Sequence, residues 1–126
     1  RQLYKNRNMA LKASYNDKLH LPGLSKTEIL ILALEASQKL EWNIEEVTPE
    51  GARFEVPFNM YSHGEEITFT IEPGSDGEVA VRSQSSSVQF VDYGKNRKNI
   101  QKLRETMEEI KTSLTPEELT QKAKDF

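Results

Sequence analysis

Three stretches in the middle of this chain alternate apolar and polar residues, and the breaks between them are short. "ARFEVPFNM" puts Phe54, Val56, Phe58 and Met60 on one face, "ITFTI" does the same with Ile67, Phe69 and Ile71, and "EVAVRS" with Val79 and Val81. Alternation with a period of two is the pattern of a strand buried on one side only. "YSHGEE" and "PGSDG" separate the stretches. Connections that short join antiparallel neighbours, because a parallel crossover needs a dozen residues or more. An earlier stretch, "WNIEEVT", is apolar at Trp42, Ile44 and Val47 and is followed by the turn "PEG". Its broken alternation predicts a bulge or an early end. Pro57 cannot donate to a ladder, so the strand that contains it is expected at an edge or bent there. The expectation is a four-stranded antiparallel meander with one apolar face.

Helical patterns flank the meander. Ser25 and Glu28 form a capping box ahead of "ILILALEA", with Leu24 and Ile29 at the staple positions. Ile29, Leu32, Ala33, Ala36 and Leu40 then share one face, which predicts a helix from Ser25 to about Glu41. Ile100, Leu103, Met107, Ile110 and Leu114 mark a second long helix from about Lys95 to Ser113. "LTPEEL" opens a short C-terminal helix, with Thr115 as cap and Pro116 at the first helical position. The predicted fold is a two-layer α+β sandwich, with both long helices on the apolar face of the sheet. Residues 25–126 form its single domain. Residues 1–24 read as a basic linker or tail, with Leu19, Leu21 and Leu24 able to dock on the body. The chain opens on Arg1, and Met9 is a candidate natural start, which leaves residues 1–8 as possible vector sequence.

Composition sets limits on function. The chain has 126 residues, one domain's length. It has no cysteine, so disulfides, thiolate metal sites and thiol nucleophiles are excluded. Residues 1–24 carry five Lys/Arg and one Asp; residues 25–126 carry 12 Lys/Arg and 19 Asp/Glu. An acidic body argues against nucleic acid as a partner. A basic leader suits a solvated arm or a juxtamembrane segment facing the cytoplasm. No run of about 18 apolar residues is present to span a bilayer.

"LEASQKLEWNIEEVTPEGARFEV", "HGEEITFTI" and "QFVDYGKNRKNIQKL" are similar to stretches of a soluble domain found in bacterial multispanning membrane proteins, some of them rhomboid-like. The shared features are a helix ending in "LEW" or "LGW", a Gly-Glu-Glu lead into a strand, and aromatic-Gly-Lys-Asn at the last long helix. The resemblance implies a cytoplasmic or membrane-adjacent accessory domain whose parent chain contains transmembrane segments. It implies no catalytic residues.

Three sites follow from the residues. In "YGKNRKN", Gly94 precedes a helix start that carries Lys95, Arg97 and Lys98, where the helix dipole makes cations mildly unfavourable. Tyr93, Gly94, Lys95, Arg97 and Lys98 therefore form a candidate contact for a protein partner or an anionic membrane surface, with Ser85 to Ser87 upstream. The competing reading is that these cations are simply solvated. A second candidate is a small-ligand pocket between helices and sheet, lined by Trp42, Phe58, Met60 and Phe90; the competing reading is ordinary core. The third is His63 as the base of a hydrolase, but no nucleophile-elbow motif accompanies it. No catalytic residue, cofactor or metal ligand is assigned, and a non-enzymatic interaction domain is expected.

Overall fold

A computed structural model describes residues 12–57, 64–86 and 94–126. The element order is β1 (Ser14–His20), α1 (Lys26–Lys39), β2 (Asn43–Thr48), β3 (Gly51–Val56), β4 (Glu65–Ile71), β5 (Glu78–Ser85), α2 (Lys95–Ser113) and α3 (Pro116–Asp125). The strands form one antiparallel sheet in the order β1-β5-β4-β3-β2. The α+β class and the antiparallel meander are as expected. The strand count is not: among the described residues the sheet has five strands, accompanied by three helices.

The additional strand is β1, inside the stretch expected to be linker. It pairs with β5 along its whole length, from Ser14↔Gln84 to His20↔Glu78. Its weak sequence signal has a physical cause. Alternate residues Tyr15, Asp17 and Leu19 turn to the helix side, and only Leu19 is both strongly apolar and buried. Asp17 spoils the pattern because its partner is a cation rather than a core: Arg104 of α2 donates to it at 2.7 Å. Leu21, just past the strand, is also buried; its N–H donates to the Gly77 carbonyl at 2.8 Å. Gly77 has φ 77°, and a Cβ there would lie 2.0 Å from the Leu21 oxygen, so this close approach needs glycine.

β3 lies between β2 and β4, in the interior of the sheet, and ends at Val56, just before Pro57. Pro57 therefore closes the strand and does not mark an edge. β2 does contain the irregularity its sequence suggested, a register shift between Ile44 and Glu46. The first residues of "SQSSSVQF" extend β5 to Ser85.

Burial follows the alternation. Ile67, Phe69 and Ile71 of β4, Val79 and Val81 of β5 and Phe54 of β3 are buried under Ile29, Leu32, Ala33 and Ala36 of α1 and Ile100, Leu103 and Met107 of α2. Each large apolar side chain so buried contributes about 1.5–3 kcal/mol. α2 lies over β5 and β1, and α1 lies over β2 and β3. α3 packs on α1 through Leu119. The opposite face, with Arg53, Thr68, Thr70 and Arg82, has no element over it among the described residues.

The helix ends are locally encoded. Ser25 Oγ accepts from the Glu28 N–H at 3.1 Å, and Glu28 accepts from the Ser25 N–H at 2.8 Å. Thr115 and Glu118 repeat the arrangement at α3, and the Thr115 bonds hold the Glu118 carboxyl below its ordinary range. α1 ends in a Schellman turn: the Trp42 N–H donates to the Ser37 carbonyl and the Glu41 N–H to that of Gln38. The left-handed position of that turn, φ 62°, is held by Glu41. This is the middle residue of "LEW", and glycine adopts that conformation without strain. Glu41→Gly is expected to stabilise the domain by up to about 1 kcal/mol, read as a raised urea midpoint with an unchanged m-value.

Candidate functional site

The apolar core turns polar at one end of the sheet. The inward row of β5 reads Val79, Val81, Ser83, Ser85, and that of β4 begins with Glu65. Above them, the inward stripe of α2 begins Asn96, Asn99 before it reaches Ile100 and Leu103. All five of these polar residues are buried. Burying polar groups is costly unless they bond to one another, so they must form a network.

They do. Ser83 Oγ donates to Asn96 Oδ1 at 2.7 Å. Asn96 Nδ2 donates to Ser85 Oγ and to the Ala13 carbonyl, both at 3.2 Å. Asn99 Nδ2 donates to Glu65 Oε1 at 2.9 Å and to Ser83 Oγ at 3.3 Å. The network ties the first turns of α2 to β4, to β5 and to the residue before β1. No buried side-chain nitrogen or oxygen among the described residues lacks a hydrogen-bond partner. Sequence reasoning missed this cluster. The signal was present as serines at inward strand positions and asparagines extending the α2 stripe at i and i+3.

The cations of the same turn point the other way. Gly94 caps the helix at φ 76° with no side chain to offer, and the Lys98 N–H donates to its carbonyl at 3.0 Å. The first turn contains no acidic residue. Lys95 is half-buried; Arg97 and Lys98 are exposed. Of the five expected contact residues, the structure brings Gly94, Lys95, Arg97 and Lys98 together. Tyr93 lies outside the described residues.

The residues just before β1 meet this turn. Ala13 O accepts from Asn96 Nδ2 and also from the Ser85 N–H at 2.9 Å. Lys12 is therefore held at the end of the sheet where α2 begins. Nearby, the Asp17 carboxyl is held below its ordinary value. The hydrogen bond from Arg104 is the main cause, then the Lys18 N–H at 2.8 Å, with the charges of Arg104 and Arg97 adding to it.

The other expected sites are less complete. Trp42 is buried at the core edge, tilted against Phe54 with ring centroids 6.3 Å apart. Phe58, Met60 and Phe90, which were to line a pocket with it, lie outside the described residues, as does His63. Among the described residues, no group of three or more His, Asp or Glu is placed to hold a metal ion. No helix of the described residues is long and apolar enough to cross a membrane.

Two measurements probe this end of the fold. Asn96→Ala removes a buried partner of Ser83, Ser85 and Ala13, and is expected to cost about 2–4 kcal/mol in urea unfolding and to lower amide protection in β1. The second concerns pH. A carboxyl with a lowered folded pKa contributes stability that is complete above its ordinary value, here 3.8, and is lost as pH falls through the folded value. Arg104→Gln is therefore expected to lose stability at pH 7 while narrowing the difference in unfolding free energy between pH 7 and pH 3.

Comparison with known proteins gives one family. Residues 8–107 match DUF1499, described as a protein of unknown function. No curated protein matches the chain. The match begins ahead of β1, takes in all five strands and ends at Met107 within α2. α3, which packs on the outside of α1, lies beyond it. With four-fifths of its length covered, the chain belongs to the DUF1499 family of proteins of unknown function.

Proposed function

We propose that this domain is a non-enzymatic accessory module, attached to a membrane protein, whose positive end rests on an anionic membrane surface on the cytoplasmic side. The observation that carries this reading is the Asn96–Ala13 bond. It holds Ala13 against the turn that carries Lys95, Arg97 and Lys98, so Lys12 joins three more cations there. The rest of the body is acidic. A surface of anionic lipid attracts each nearby Lys or Arg by about 1 kcal/mol, and the attraction fades within a Debye length of about 8–10 Å. An end-on approach therefore gathers the attraction at the positive end and leaves most of the carboxylates beyond reach of the repulsion. The resemblance of "QFVDYGKNRKNIQKL" and its neighbours to soluble domains of multispanning proteins supports the same placement.

The test is co-sedimentation with vesicles containing about a third phosphatidylserine, at 20 and at 150 mM salt. The full chain is expected to bind at low salt and to weaken as salt rises. Arg97→Glu/Lys98→Glu is expected to weaken binding at least tenfold. Equal binding by the variant, or no binding by the parent at low salt, overturns the reading. Binding to neutral vesicles as strong as to anionic ones does so too.

A further inference from the structure

β2 is an edge strand: among the described residues it pairs with β3 alone, and all six of its residues are exposed. Most edge strands are blunted, because free backbone donors and acceptors invite another strand. β2 keeps apolar side chains at this edge. Ile44 is 37% exposed and Val47 42% exposed. With Phe126 they are the exposed large apolar residues among those described, and all three line one groove of about 430 Å³ with Ile31 and Leu34 of α1.

The bulge explains how they come together. Residues 44 and 47 would point to opposite faces of a regular strand. The extra residue, Glu45, resets the alternation: Ile44 sits opposite Phe54 and Val47 opposite Ala52, both buried on the helix side. Bulges re-aim side chains in this way where a surface is used. Glu46 sits opposite Arg53 on the other face, and Arg53 meets Glu45, Glu46 and Glu66 within 4 Å. On the groove's other rim, Glu35 pairs with Lys122 at 3.0 Å, and Asp125 accepts from Gln121. Arg53 and Lys122 are thus both engaged, and Glu35, Glu45, Glu46, Glu66 and Asp125 outnumber them.

From this geometry we infer that the β2 edge docks an extended segment of a partner polypeptide in which apolar residues alternate with Lys or Arg. The segment adds a strand beside β2. Its apolar side chains enter the groove over Ile44 and Val47, and its cations face the carboxylates around Arg53. A second copy of this chain is the poorer occupant, because two acidic edges would meet.

The test uses the full chain and a capped Lys-Val-Lys-Val-Lys-Val peptide, with the Glu-Val counterpart as control, followed by amide NMR. The Lys-Val peptide is expected to give saturable shifts centred on Ile44 to Thr48, Ile31 and Leu34. Glu45→Lys/Glu46→Lys is expected to weaken it at least tenfold. Val47→Ser, at a position already exposed and therefore safe for folding, is expected to weaken it severalfold. Absence of saturable shifts at β2 up to millimolar peptide overturns the inference. So do equal shifts with the Glu-Val peptide, and so do β2 shifts that follow protein concentration alone, since a second copy is then the occupant. Vesicle binding reads the opposite edge of the sheet, so either proposal can fail without the other.

Discussion

One amide side chain holds together parts of the chain that are far apart in sequence. Asn96 receives a bond from Ser83 and gives bonds to Ser85 and to the backbone at Ala13. Hydrophobic burial would let α2 slide or rotate over the sheet at little cost, because it has no direction. Hydrogen bonds do have direction, and a half-satisfied buried network is worse than none. The network therefore fixes the register of α2 over β5. With that register set, Arg104 faces Asp17, and Lys95, Arg97 and Lys98 occupy the turn that holds Ala13.

The two edges of the sheet serve different ends. At one, β1 is held by a full ladder, an ion pair to α2 and the burial of Leu19 and Leu21. At the other, β2 is held by β3 and the flank of α1, and it leaves apolar side chains in the open. The charges divide in the same way: cations collect where β1 and α2 begin, and carboxylates collect around β2. A domain so polarised presents opposite signs to anything it touches.

What could be read from the sequence depended on how local the cause was. Both capping boxes, the limits of α2 and the bulge in β2 follow from residues within a few positions of each other. The meander from β2 to β5 follows from period-two patterns and short turns. β1 could not be read this way, because its inward residues make sense only beside Arg104 and Val79, which arrive much later in the chain. The polar network failed for the same reason: Ser83 and Asn99 look like ordinary surface residues until the fold stacks them. At the candidate site, the basic turn was legible as four neighbouring residues. Its contact with the residue before β1 was not, since Asn96 and Ala13 lie 83 positions apart.

The pairing of β1 with β5 also imposes an order of events. Among the described strands β1 comes first and its partner β5 last, so β1 has no ladder to join until β5 is present. Closing such a long loop costs entropy that the intervening local structure must already have offset. Lys12 thus reaches the start of α2 only where β1 pairs with β5. The grouping of Lys12 with Lys95, Arg97 and Lys98 thus depends on contacts between distant parts of the chain rather than on composition alone.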